Sequence, residues 1–214
     1  MALIRNRQEA GEKLAVLLEK YASPQAIIYA LPRGGVIVAK EIAEKIKAPL
    51  DLAIVRKIGH PFNPEYAIGA ISETGGTLYN EAEKATIDNH WLREEEIKEQ
   101  AEAQRRRQKY LGGRTMISPK NKIAILVDDG IATGLSMFLA IKEIKKNQPQ
   151  KIIVAIPVIP DDTLLKLRRE VDDVIYLEAP KLFLGAVGNY YDDFQQTEDE
   201  EVIEVLKNKK GSSP

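Results

Sequence analysis

The chain has 214 residues, 44% of them hydrophobic, which suits a single domain with one sizeable core. Its 31 Lys and Arg residues nearly cancel 32 Asp and Glu residues, which argues against a broad surface for nucleic acid. Cysteine is absent, which excludes disulfides and thiolate sites and favours a cytoplasmic protein, and no apolar run is long enough to span a membrane.

The N-terminal part predicts a helix, a buried strand and a second helix. Residues 7–21 have an amphipathic pattern that indicates the first helix. Residues 26–30 form a short, continuous apolar run, which is typical of a strand buried on both faces of a parallel sheet. A loop at 31–35 then leads into a helix over 36–46.

Two features then interrupt the alternation of strands and helices. Three short strands, at residues 53–57, 67–73 and 77–79, are joined by loops rich in Gly and Pro and predict a hairpin-like excursion. Residues 81–113 predict a long polar helical insertion that ends on a glycine C-cap. Its arginine triplet at 105–107 is better explained by the helix dipole and by pairing with earlier glutamates than by nucleic acid.

The remainder returns to strands that alternate with helices of about ten residues. The predicted elements are strands at 122–127, 151–158 and 174–177 and helices at 135–145 and 161–170. This order predicts an α/β fold with a doubly wound, mainly parallel sheet, whose ligands bind at the carboxyl ends of the strands. Residues 178–214 are expected to add a small variable hood and a tail to a single domain spanning residues 1–214.

Residues 125–134 carry the strongest functional pattern. A buried strand brings Asp128 and Asp129 to its carboxyl end, and a short turn from Gly130 to Gly134 opens a helix whose first N–H groups are free. Those amides suit a phosphate, with the glycines permitting close approach, whereas the carboxylates suit hydroxyl groups or a cation. A sugar phosphate satisfies both halves of the pattern.

This segment resembles the phosphoribosyl-pyrophosphate signature of type I phosphoribosyltransferases. The resemblance implies that Asp128 and Asp129 contact the ribose and, indirectly through ligand or water, Mg²⁺. It also implies that the 5-phosphate is held by the turn residues Gly130, Ile131, Ala132, Thr133 and Gly134. Hypoxanthine-guanine members of the family place an aspartate base where this chain has Ala132, so the turn supplies no general base.

Two further loops should lie at the same rim of the sheet. Arg33, Gly34 and Gly35 follow a buried strand and resemble the pyrophosphate loop of the family, although a plain strand-to-helix turn is the alternative. Arg56 and Lys57 lead from a strand into a Gly/Pro loop and resemble the flexible loop of adenine and orotate phosphoribosyltransferases. The resemblance implies that both cations bind pyrophosphate and assist catalysis.

Proton transfer and acceptor binding are assigned to other parts of the sequence. Glu73 ends the strand that returns from the mobile loop, so it is the candidate general acid or base, with a plain surface carboxylate as the alternative. In the hood, Tyr190 and Tyr191 are candidates to stack on the acceptor, and packing in the core is the alternative.

The whole chain, including Arg7 near its start and residues 188–191 near its end, resembles a bacterial and archaeal branch of predicted phosphoribosyltransferases with no assigned acceptor. The resemblance implies an Mg²⁺-dependent pentosyltransferase of nucleotide metabolism. It would transfer phosphoribose from 5-phosphoribosyl-1-pyrophosphate (PRPP) to a nitrogenous base and release pyrophosphate. The alternative is a regulatory protein that senses PRPP or a nucleotide without turnover. A homodimer is compatible with either function, whereas nucleic acid and membranes are not expected partners.

Overall fold

The computed structural model describes residues 4–208, which form two sheets flanked by helices. The helices are α1 (Arg7–Leu18), α2 (Gly34–Ile46), α3 (Glu81–Lys84), α4 (Asn89–Leu111), α5 (Leu135–Lys145), α6 (Asp161–Leu167) and α7 (Asp199–Asn208). The strands are β1 (Ala26–Ala30), β2 (Leu50–Leu52), β3 (Val55–His60), β4 (Asn63–Ser72), β5 (Thr77–Tyr79), β6 (Ile123–Val127), β7 (Lys151–Val158) and β8 (Asp173–Glu178). Residues 1–3, and residues 209–214 of the predicted tail, lie outside this description.

The main sheet has five parallel strands in the order β2-β1-β6-β7-β8. Alternate residues of its strands point to opposite faces, where Ile28 and Ile125 pack with α1 and α2 while Tyr29 and Leu126 pack with α5 and α6. Helices on both faces explain the continuous apolar runs of the central strands. The predicted doubly wound, mainly parallel α/β fold is therefore confirmed, although the three-residue edge strand β2 was not predicted.

The smaller sheet is antiparallel, in the order β3-β4-β5, and forms the predicted hairpin-like excursion. One of its faces packs through Val55 and Ala70 against α5. The other packs through Ile58 and Ile68 against the start of α4. Both faces of this sheet are covered, so the sheet is held between α5 and α4.

The polar insertion was predicted as one helix, but the chain breaks after α3 and starts again at α4. Asp88 causes the second start, because its side chain accepts a hydrogen bond of 2.9 Å from the N–H of Trp91 and caps α4. Gly112, in a left-handed conformation with φ of 62°, ends α4 as predicted. Within residues 4–208, no helix has the length and apolar character needed to cross a bilayer.

An ion-pair cluster attaches α4 to the sheets. Arg107 points inward and forms a bidentate pair with Glu73, with a distance of 2.7 Å from Nε to Oε2, and its Nη1 lies 3.5 Å from Oδ1 of Asp51. Asp51 is fully buried, and it also accepts a hydrogen bond of 2.6 Å from the N–H of Ile117. The cluster therefore joins β2, the hairpin and α4.

The rest of the arginine triplet behaves as the sequence indicated. Arg105 and Arg106 both pair with Glu102 one turn earlier, at 2.6 and 2.9 Å. Their hydrogen bonds lower the pKa of Glu102 to about 2. Both cations thus share one carboxylate of α4, which agrees with the interpretation that the triplet stabilises the helix, and Arg105 also lies 3.4 Å from Asp199 of α7.

Replacing Arg107 by methionine should lower the free energy of unfolding by about 3 kcal/mol, because it removes the cation shared by the fully buried Asp51 and the partly buried Glu73. Arg105→Met, two residues earlier on the same helix, is the matched control and should cost less than about 1 kcal/mol, because Arg105 is half exposed. Urea titration followed by circular dichroism measures both. Equal small losses in the two variants would show that the cluster contributes little to stability.

Candidate functional site

The turn after β6 lies at the centre of the main sheet's carboxyl edge. β6 is the third of five strands, and it ends at Val127, directly before Asp128 and Asp129. Gly134 caps α5 with φ of 81°, a left-handed conformation that glycine adopts at low cost. The first N–H groups of α5 have no partner within the helix and point to this edge, where they can bind an anion.

Within the turn, the residues predicted to hold a phosphate differ in how accessible they are. Ala132 and Thr133 are exposed. Ile131 is buried, and its N–H donates a hydrogen bond of 2.9 Å to the carbonyl of Val158 on β7. Ile131 therefore anchors the turn in this structure, and its amide, which was predicted to contact the phosphate, is already used by the fold.

The two carboxylates differ in their electrostatic surroundings. Burial, together with the neighbouring Asp129 carboxylate, raises the pKa of Asp128 well above its ordinary value. Asp129 is paired with Arg7, with 2.6 Å between Oδ2 and Nε, and its N–H donates to Oδ1 of Asp128 at 2.9 Å. Arg7 thus compensates one of two adjacent negative charges, which makes their close approach tolerable.

Arg7 also ties the N-terminal helix to the hood. Its Nη1 donates a hydrogen bond of 2.6 Å to the carbonyl of Gln195, and its guanidinium lies 3.8 Å from the ring centre of Phe194. Sequence reasoning gave Arg7 no role, since its partner Asp129 is 122 residues away. The available signal was its place in the resemblance to the phosphoribosyltransferase branch.

The loop after β1 meets the turn, as predicted. A Cβ on Gly34 would fall 1.8 Å from Oδ2 of Asp129, and a Cβ on Gly35 would fall 2.9 Å from the carbonyl of Val127. Gly35 therefore permits the close approach of the two backbones, and Gly34 leaves room for the Asp129 side chain.

Arg33 in the same loop points towards the N-terminus of α7. Its Nη1 lies 3.6 Å from Oε2 of Glu198 and 3.5 Å from Oδ1 of Asp199, with no closer hydrogen bond to either. Asp199 is held separately by Lys109 and Tyr110, whose hydrogen bonds outweigh burial and keep its pKa below the usual range. Arg33 is therefore a weakly held cation beside the turn.

The structure does not place Arg56 and Lys57 side by side. They are consecutive residues of β3, so their side chains point to opposite faces of the small sheet. Arg56 pairs with the buried carboxylate of Glu99 on α4, with 2.7 Å between Nε and Oε2. The expectation that both cations meet one pyrophosphate is not met in this arrangement, because strand geometry separates them.

Glu73, the candidate acid or base, is held by the bidentate pair with Arg107. Its backbone carbonyl also accepts hydrogen bonds from Gln100 and Gln104 of α4, at 3.4 and 3.2 Å. Both carboxylate oxygens of Glu73 thus accept hydrogen bonds from Arg107, so the structure gives Glu73 a role in fixing α4 to the hairpin.

Tyr190 and Tyr191 pack in the core beneath the hood, the alternative that the sequence left open. Tyr190 is stacked on Phe183 at 5.5 Å, and its hydroxyl accepts a hydrogen bond of 2.9 Å from the N–H of Leu184. Burial, with Asp129 nearby, raises the pKa of Tyr191, whose hydroxyl donates to the Asp129 carbonyl at 2.7 Å. Neither ring face is open for stacking, and both residues support the turn from below.

The donor set suits a magnesium ion that is held only in part by protein. Among residues 4–208 no group of three or more His, Cys, Asp or Glu side chains is arranged as a metal site. Mg²⁺ is commonly bound through one or two carboxylates, with phosphate and water oxygens completing its shell. Asp128 and Asp129 fit that arrangement, provided that a ligand supplies the other oxygens.

Comparison with known proteins gives consistent matches. The family model described as "Phosphoribosyl transferase domain" matches residues 5–193. The Mycobacterium tuberculosis H37Rv protein named "Putative phosphoribosyl transferase Rv0571c" is 39% identical over 208 residues, which cover 96% of this chain and 47% of that protein. A second M. tuberculosis sequence, from strain CDC 1551, matches equally. The chain spans about half the length of these curated relatives.

Two solved structures extend the comparison. The protein TT1426 from Thermus thermophilus is 35% identical, with a TM-score of 0.78 over 96% of this chain and 98% of that one. The AQ2163 protein from Aquifex aeolicus is 11% identical, with a TM-score of 0.53 over 84% of this chain and 77% of that one, and shares the fold alone.

Asp128→Asn should stabilise the protein at neutral pH. Because the folded pKa of Asp128 is raised, stability falls as pH rises from about 4 to that pKa, and the cost is fully present above it. Removing the charge should raise the free energy of unfolding at pH 7, with little effect at pH 3. Urea titrations at both pH values test this, with the exposed Asp192→Asn as control. A loss of stability at pH 7 would contradict the raised pKa.

Proposed function

This chain belongs to the phosphoribosyl transferase domain family, and from that premise we propose that it binds PRPP and transfers phosphoribose to a nitrogenous acceptor. The observation that carries the proposal is the pair Asp128 and Asp129 at the end of the central strand. A helix N-terminus lies on one side of the pair, and Gly34 and Gly35 are packed on the other. The helix N-terminus suits the 5-phosphate, the two carboxylates suit the ribose hydroxyls, and the second glycine loop suits the pyrophosphate. Together they match the three parts of PRPP.

The 5-phosphate is assigned to the start of α5. Ala132 and Thr133 are the exposed residues of the turn, and Gly134 places the first helical N–H groups beside them. These amides and the positive end of the helix dipole favour a dianion without a nearby lysine. The buried Ile131 holds the turn on β7, so the phosphate amides are positioned before ligand binds.

The ribose is assigned to the carboxylate pair. Carboxylate oxygens accept hydrogen bonds from ribose hydroxyls, and negative charge beneath the ring favours the positive character that develops at the anomeric carbon as pyrophosphate leaves. Mg²⁺, when bound, would neutralise charge on the leaving pyrophosphate. Arg33 is the cation nearest in sequence to the glycines that contact the pair, and it is assigned to the same leaving group.

The acceptor is assigned to the hood, on the β8 side of the turn. Val187 of the hood packs on Gly130, where a Cβ would fall 2.2 Å from its Cγ1, so the hood directly abuts the turn. Leu182 and Leu184 are the exposed large apolar side chains of this segment. They replace the buried Tyr190 and Tyr191 as the surface on which an aromatic base would rest.

A second candidate function is a regulator that binds PRPP or a nucleotide without turnover. Two observations favour it: Ala132 leaves the turn without a base, and Arg107 neutralises Glu73. A catalyst that adds a nitrogen nucleophile usually gains from a general base, which typically contributes 10²- to 10⁴-fold in rate. Transfer to an acceptor that is already deprotonated would not need that base.

Pyrophosphate release separates the two functions. The protein, PRPP and Mg²⁺ are incubated with a panel of nucleobases and amines, and the Asp128→Asn/Asp129→Asn double variant serves as the inactive reference. Turnover with one acceptor, reduced at least about 10²-fold in the double variant, is expected of the enzyme. Tight PRPP binding with no release across the panel would instead establish the sensor. Absence of PRPP binding in the wild type would overturn the transferase and the PRPP sensor, and would leave only a regulator that binds a nucleotide.

Glu198→Gln should tighten PRPP binding about 1.5- to 5-fold at low ionic strength, because exposed ion pairs of this kind are worth about 0.2–1 kcal/mol and Arg33 must leave Glu198 to meet an anion. Calorimetric titration measures the affinity, and Glu204→Gln, exposed on the same helix, should leave it unchanged. The gain should vanish in an Arg33→Gln background. A gain that persists there would mean that Glu198 acts through general repulsion and not through Arg33.

A further inference from the structure

A cavity of about 410 Å³ lies between the small sheet, α5 and the segment that follows α4. Its apolar wall comes from Ile54 and Val55, from Ala140 and Ile144 of α5, and from Met116. Small-molecule sites are commonly concave, mostly apolar and at least about 300 Å³ in volume, so this cavity has the size and lining of one.

The cavity is separate from the turn that carries Asp128 and Asp129. Its wall includes residues 53–55, which follow the edge strand β2, whereas the turn follows β6, two strands further into the sheet. At about 4.8 Å between neighbouring strands, the two sites lie roughly 10 Å apart across the sheet. The hood follows β8 at the opposite edge, so the cavity lies on the other side of the turn from the acceptor position proposed above.

Unpaired backbone forms part of the cavity wall. Residues 114–116 have no regular secondary structure, and within the described chain the N–H groups of Thr115 and Met116 donate no hydrogen bond to protein. Asn147, at the end of α5, adds a carboxamide whose oxygen accepts no hydrogen bond among residues 4–208. Such groups offer donors and acceptors to the edge of a heterocycle, while the apolar wall suits its faces.

The charged groups of the wall are already paired. Glu73 is held by Arg107, and Glu143 is held by Lys146 at 2.6 Å and by the hydroxyl of Thr74 at 3.3 Å. Arg114, which is half exposed, pairs with the buried Asp51, with 3.4 Å between Nη2 and Oδ1. A charged ligand would have to break one of these pairs or enter without a partner, which is costly. An uncharged ligand meets no such cost.

We propose that this cavity is a second binding site, which takes an uncharged nitrogen heterocycle of the size of a nucleobase or nucleoside. The site adjoins the base of the hairpin, because Val55 in its wall directly precedes Arg56 and the turn at residues 72–74 closes it. An occupant would therefore contact the small sheet that carries the cations assigned to pyrophosphate by sequence.

The first test measures binding of six probes, adenine, hypoxanthine, uracil and their ribonucleosides, by saturation-transfer NMR and calorimetry. At least one probe should bind the wild-type protein. Thr115→Trp, which fills the cavity from an exposed wall position, should weaken that binding at least tenfold, whereas Ser118→Trp, exposed on the same segment outside the cavity, should change it less than twofold. Binding that withstands Thr115→Trp, or no binding by any probe, overturns the proposal.

The second test separates this site from the proposed PRPP site. Probe binding should persist in the Asp128→Asn/Asp129→Asn variant, which is expected to lose PRPP. If the probe is lost together with PRPP, it occupies the turn and the second site is refuted. If PRPP fails to bind the wild type while the probe remains sensitive to Thr115→Trp, the proposed function fails and the cavity site stands.

Discussion

A Cβ on Gly35 would fall 2.9 Å from the carbonyl oxygen of Val127 and 2.9 Å from Cα of Asp128, and this backbone contact limits the distance between two loops at the centre of the sheet. The loop after β1 approaches the backbone of the turn after β6 this closely because residue 35 has no side chain. That approach brings Arg33 beside the carboxylates and sets where α2 begins. A leaving group and a sugar can share one site only if these loops are adjacent, so the proposed chemistry depends on this packing.

Two adjacent carboxylates at the end of a buried strand must be compensated, and both ends of the chain contribute to that compensation. Arg7 supplies the cation, and Tyr191 donates its hydroxyl to the Asp129 backbone. The stacking of Arg7 on Phe194 then joins these two contributions. The N-terminal helix and the hood are therefore parts of the site's electrostatics, although neither contains a recognisable motif for binding phosphate or ribose.

The predictable features were those encoded by local sequence. Buried strands such as β1 and β6, the turn at residues 128–134 and the glycine cap of α4 each follow from neighbouring residues. Which charged side chains pair with one another was not predictable, because pairing depends on tertiary packing between positions far apart in the sequence. Glu73 and Arg107 are 34 residues apart, so nothing local indicated that the candidate base would be neutralised. The three-residue strand β2 was too short to give a pattern.

The arginines assigned to pyrophosphate by resemblance already have carboxylate partners, and a ligand must displace those partners to bind. Arg33 faces α7 and Arg56 faces α4, so each has a carboxylate partner supplied by the helical insertion or by the C-terminal helix. The pair of Arg56 with the buried Glu99 is short, at 2.7 Å, whereas Arg33 lies 3.5 Å from Asp199 and 3.6 Å from Glu198. The binding free energy that a ligand gains from such an arginine is the free energy of the new contact minus that of the ion pair it displaces. Arg33 is consequently the cheaper cation to recruit, because recruiting Arg56 means breaking its shorter pair with Glu99.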